Sequence, residues 1–122
     1  MSLSDTNQEF KIYNKITDYM HYVRKYVAPM IPSVHRDLRI HLLDEIYYLS
    51  KNMFASVYNK GNVRMKYLVE MQVNLSMIDM IMLELKSLKC IRKHHLESSL
   101  LKLSEIKNII YSWKLNEEQK KK

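Results

Sequence analysis

Residues 63–89 read VRMKYLVEMQVNLSMIDMIMLELKSLK, a run with no glycine or proline that is rich in Leu, Met, Lys and Glu. Such a composition favours helix. At 100° per residue, Leu68, Met71, Leu75, Ile78, Met82 and Leu85 share one face, the pattern of a helix lying on a core. A second apolar line, Val69, Val73, Met77 and Met80, points roughly the opposite way, flanked by Met65 and Leu83. Gln72, Asp79 and Lys86 separate the two lines on one side, and Lys66, Glu70 and Glu84 on the other. A helix apolar on two opposed faces needs two partners. The first is the core of its own chain, and the second is expected to be another copy of the chain.

Just before this run, residues 59–62 (Asn-Lys-Gly-Asn) form a tight turn in which Gly61 suits a left-handed cap and Asn62 suits an N-cap. Ahead of the turn, Leu38, Leu42, Ile46, Leu49 and Met53 mark a helix running to about Tyr58, starting in the window of Ser33 to Asp37. Pro29 and Pro32 separate it from an earlier helix over residues 9–28. That helix shows Ile12, Ile16, Tyr19, Val23 and Tyr26 at spacings of three and four. After the central run the period breaks around Cys90, Ile91 and Arg92. A fourth helix then repeats Leu96, Leu100, Leu103, Ile106, Ile110 and Trp113. Residues 1–8 and the basic tail 116–122 lack an apolar anchor and are expected to be loose. The reading is all-α: an antiparallel up-down-up-down four-helix bundle over residues 9–115, assembling into a homo-oligomer.

Composition narrows the function. With 122 residues the chain is one domain. A single glycine cannot write the phosphate-cradling loops GxxxxGK[ST] or GxGxxG. One cysteine, Cys90, allows no internal disulfide and fits a reducing cytoplasm. The opening MSLSDTNQEF has no signal-peptide character, and no apolar run approaches the roughly 18 residues of a membrane span. Cys90 and His94 are four apart, but no second pair completes a metal site. His94 and His95, being adjacent, point about 100° apart on a helix. There is no ExxH repeat and no spaced carboxylate pair, so neither catalysis nor a cofactor is expected.

The net charge of +7 calls for an anionic partner, nucleic acid or a membrane surface. Alternating helices would bring Arg24, Lys25, Arg36, Arg39, Lys86, Lys89, Arg92 and Lys93 to one pole, beside His35, His41, His94 and His95. Asp37, Glu84 and Glu97 oppose them, and eight cations less three carboxylates leaves +5 of the +7. This pole is the candidate surface for phosphate contacts, with Tyr22 and Tyr26 nearby and Tyr26 assigned by its spacing to the core. Lys60, Arg64 and Lys66 at the opposite pole form a competing flank. A closed bundle offers no free amphipathic helix for a membrane.

The run RMKYLVEMQVNLSMIDMIMLELKSLKCI, followed by KHHLESSLLKLSEIKNIIYSWK, resembles the accessory variability determinants of diversity-generating retroelements. That family also includes proteins encoded in intervening sequences of large-subunit ribosomal RNA genes. A first helix ending near proline, the segment Ile31-Pro32-Ser33 and a long helix opening at LRIHLLDEI extend the likeness over residues 9–114. Where the family often has glycines before the terminal tryptophan, this chain has Tyr111 and Ser112. The resemblance implies a homopentameric barrel of bundles that binds RNA or DNA with little sequence preference. It also implies docking onto a reverse transcriptase during mutagenic complementary-DNA synthesis. The alternative is a structural helical adaptor or a ribosomal-RNA-associated protein.

Overall fold

The computed structural model describes residues 3–120, with side chains described from Asn7. The fold is all-α. Four long helices, α1 (Leu3–Tyr22), α2 (Arg36–Tyr58), α3 (Gly61–Ser87) and α4 (Lys93–Lys120), account for most of the described residues. Between α1 and α2 the chain makes a π turn (Val23–Val27) and two 3-10 turns (Ala28–Met30 and Ser33–His35).

Most of each expected line points inward, while Leu38 of α2 and Leu96 and Leu100 of α4 are only half-buried, Ser99 taking the buried position beside Leu100. Ile12, Ile16, Tyr19 and Val23 of the first helical stretch and Leu42, Ile46, Leu49 and Met53 of α2 are buried, as are all six residues of the α3 core face. They meet Leu103, Ile106, Ile110 and Trp113 of α4 in one continuous core. Polar contacts fix the direction of neighbours. Lys15 pairs with Glu105, Tyr19 with Ser99 and Tyr22 with the carbonyl of His95, so numbers rise along α1 as they fall along α4. Asp79 with Lys107 and Gln72 with Lys114 do the same for α3 and α4. Asn52 with Asn74 and Ser56 with Met71 do so for α2 and α3. Each of these pairs runs antiparallel.

The first helix departs from its expected register at the π turn. In a regular helix the Pro29 ring would collide with the carbonyl of Lys25. The chain widens instead, and the Ala28 N–H bonds to Val23 O. One extra residue per turn carries Val27 into the core and turns Tyr26 outward, 49% exposed, which corrects its assignment to the interior.

The ends also differ from expectation. The α1 helix begins at Leu3, so residues 3–8 are helical, and α4 continues through Lys120. Residues 1–2 and 121–122 of the expected loose ends lie outside the described residues. What anchors residues beyond 115 is a charge, since Glu117 is buried against Arg64 at 3.0 Å. Gly61 does take a left-handed conformation (φ +61°), but as the first residue of α3. Lys60 occupies the N-cap, so Asn62 lies within the helix. The α2 helix starts at Arg36, inside the expected window of Ser33 to Asp37, with His35 at its N-cap.

Candidate nucleic-acid interface

The antiparallel pairings gather the end of α1, the start of α2, the end of α3 and the start of α4. The Tyr22 hydroxyl donating to His95 O at 3.1 Å ties the first of these to the last. Arg24 and Lys25 lie in the π turn, Arg36 and Arg39 in the first turn of α2, Lys86 in the last turn of α3. Lys89 and Arg92 occupy the α3–α4 connection, and Lys93 opens α4. Arg39 and Lys86 are half-buried and the other six are exposed.

Helix electrostatics accounts for part of this distribution. Cations are favourable at the C-terminal ends of α1 and α3, which carry partial negative charge. Arg36 and Lys93 are placed the other way. They are the first residues of α2 and α4, at the partly positive end, and the first turn of α4 has no acidic residue. Helix stability therefore does not explain them. Lys93 has Glu97 at 3.8 Å, but both side chains are well exposed and such a pair adds little.

The connection after α3 positions Lys89 by backbone geometry. Cys90 N–H bonds to Leu85 O and Lys89 N–H to Lys86 O, the double closure of a Schellman motif. Its left-handed position, usually glycine, is Lys89 itself at φ 62°.

Aromatic rings stand among these charges. The Tyr26 and Tyr22 ring centroids are 5.7 Å apart, with Lys25 Nζ 5.3 Å from the first and Lys102 Nζ 5.3 Å from the second. The His94 and His95 ring centroids lie 3.9 Å apart with the ring planes tilted by 38°, closer than a 100° separation implies. Burial, the neighbouring His94 and Arg92 together pull the His95 imidazole below its usual pKa.

The competing flank does not hold together, because Arg64 is fully buried and out of reach of phosphate. Its Nε donates to Ser56 O at 2.8 Å and its Nη2 to Val57 O at 3.3 Å, satisfying carbonyls that the end of α2 leaves open. Its guanidinium also covers the Trp113 ring at 5.1 Å. Lys60 and Lys66 remain exposed.

The outward line of α3 is exposed as its spacing required, with Val73 57% and Met80 56% accessible and Leu83 continuing it. A shallow groove runs between Val69, Val73, Met77 and Met80, bordered by Gln72 and Ser76. Among the described residues, no helix is long and apolar enough to cross a membrane, and no group of three or more His, Cys, Asp or Glu is arranged to hold a metal ion. Compared with known protein families, with curated proteins and with solved structures, the chain matches none.

Proposed function

We propose that this chain is a non-catalytic accessory protein that binds nucleic acid electrostatically through its basic end. In this reading the four helices form an up-down-up-down bundle that assembles with copies of itself through Val69, Val73, Met77 and Met80. The assembly serves the reverse transcriptase of a diversity-generating retroelement in the cytoplasm, as the family resemblance implies.

The observation that supports it best is the convergence of eight cations from four separate segments, two of them at helix starts that disfavour positive charge. Phosphate contacts are sequence-tolerant and release condensed counterions, so affinity falls steeply with salt. Replacing Arg39 and Lys89 with Gln is expected to weaken binding to every sequence alike. It should also flatten the salt slope by about one unit for each phosphate no longer neutralised. Fluorescence anisotropy across a salt series tests this. Unchanged affinity and slope in the double variant would remove the basic end as the phosphate-binding surface.

A further inference from the structure

A second outward stripe, on α2, leads away from the basic end. Arg36, Ile40, Tyr47, Lys51, Phe54 and Tyr58 are spaced 4-7-4-3-4 and are all exposed. Helical geometry keeps them within a sector of about 60°, turned away from Leu42, Ile46 and Leu49. Tyr47, Lys51 and Phe54 line one cavity of about 230 Å³. Phe54 also borders a larger one of about 460 Å³, completed by Tyr13 of α1 and by Tyr58. The Tyr13 and Phe54 rings meet edge-on at 6.4 Å. The two cavities adjoin at Phe54, the larger one on the α1–α2 seam, and together span about 17 Å of α2 from Tyr47 to Tyr58, with Ile40 and Arg36 continuing the exposed face toward the cationic end.

Exposed aromatics on this scale mark a contact site, and the charges among them select the occupant. Arg36 stands at the head of the stripe and Lys51 lies between Tyr47 and Phe54. Glu9 lines the far cavity, but its carboxylate faces Arg64 at 3.8 Å. Asp44 borders the stripe near its middle. Rings flanking one cation, Lys51, on a face that leads to Arg36 suit a chain that carries π faces and phosphates together. In a duplex the bases are stacked on one another and offer no free face.

We propose that the α1–α2 groove binds single-stranded nucleic acid, with bases stacked on Tyr47 and Phe54 and the strand leading from the phosphate contacts of the basic end. This rests on the basic end being a nucleic-acid surface. The test compares binding of labelled oligothymidylate with that of a hairpin duplex of equal length. It uses the wild-type chain, Tyr47→Leu, Phe54→Leu and the double variant. Removal of each ring is expected to weaken single-strand binding about tenfold or more and to leave duplex binding within about twofold.

Equal losses on both probes, or no loss on the single strand, overturn the groove while leaving the basic-end reading intact. Absence of binding to either probe by the wild-type chain overturns both. A drop in assembled mass in the double variant with unchanged single-strand affinity assigns the groove to a protein contact instead. Tyr47→Trp gives an independent readout, since oligothymidylate stacking should quench its emission. An unquenched Trp in a chain that still binds overturns the proposal.

Discussion

The Tyr19 hydroxyl lies 2.7 Å from Ser99 Oγ, in the buried seam between α1 and α4. Ser99 holds the place on α4 where a core side chain would continue the line from Leu103, and Tyr19 reaches across to satisfy it. Burial drives the Tyr19 phenol well above its usual pKa. Tyr19→Phe keeps the ring but strands one hydroxyl, so it should cost about 1–3 kcal/mol. Ser99→Ala should cost a similar amount. The double variant strands neither group, so urea unfolding should show it losing less than the sum of the two.

Arg64 and Glu117 form a second buried pair, with side chains 1% and 3% exposed. Removing one member of such a pair leaves a charge in the interior, and Arg64→Met should destabilise the chain by about 3–5 kcal/mol. Part of that loss belongs to the α2 carbonyls that the guanidinium caps. Glu117→Gln keeps those bonds and should cost less. Non-additivity between the two substitutions in a double-mutant cycle would register their coupling.

Lys89 holds a left-handed conformation that glycine adopts without steric penalty. Lys89→Gly should therefore stabilise the protein by about 0.5–1 kcal/mol, whereas Lys89→Gln should leave stability within about 0.5 kcal/mol. If Lys89 contacts phosphate, both variants lose the same affinity. Thermal melts and binding isotherms then separate the backbone role of this residue from its charge.

His95 couples the basic end to pH. In the unfolded chain its imidazole takes up a proton near pH 6.5, while in the folded chain burial, His94 and Arg92 hold it neutral to lower pH. The unfolded chain then binds more protons, so the contribution of His95 to stability is present above about pH 6.5 and is lost as pH falls. The melting temperature should drop on acidification toward pH 5, and His95→Gln should make that drop shallower. An identical pH profile for the variant would contradict this role.

The exposed α3 line is expected to hold copies of the chain together, because an exposed apolar row of this length favours association. Val73→Glu with Met80→Glu should reduce the assembly to a single 14.7 kDa chain by light scattering, with the helices intact by circular dichroism. A wild-type particle already of that mass would rule the assembly out.

The inner lines of the helices are legible in the sequence because their period survives in regular α-helix. Leu42, Ile46, Leu49 and Met53 are buried as their spacing requires, and Val69, Val73, Met77 and Met80 are exposed as theirs does. Periodicity misplaces Tyr26 because it says nothing of the extra residue that Pro29 forces into the preceding turn. Asn62 has the residue type of a cap, while Gly61 starts the helix before it. The pairing of Arg64 with Glu117 leaves a readable trace. Arg64 sits four residues before Leu68 and Glu117 four after Trp113, so each extends a core line with a charge at the same end of an antiparallel pair. Opposite charges in those two positions are a signature of a buried ion pair. The aromatic stripe of α2 is as regular in spacing as the inner line, but its meaning depends on Tyr13 of α1 standing across the seam, which α2 alone does not reveal. The eight cations of the basic end can be assigned to the ends of helices from sequence, since only the order and direction of the helices are needed.

The separation of Arg64 from Glu117 also sets an order of events at the ribosome. Arg64 emerges 53 residues ahead of its buried partner, an interval of about 3–10 s at ordinary rates of synthesis. Glu9, which lies 3.8 Å from the guanidinium in the finished fold, has already been made, as have the carbonyls of Ser56 and Val57. A nascent chain of three helices therefore has counter-charge for its cation but no Trp113 to cover it. Emergence of Glu117 supplies the remaining carboxylate of this cluster, so vectorial growth lets this end close only after α4 has been made.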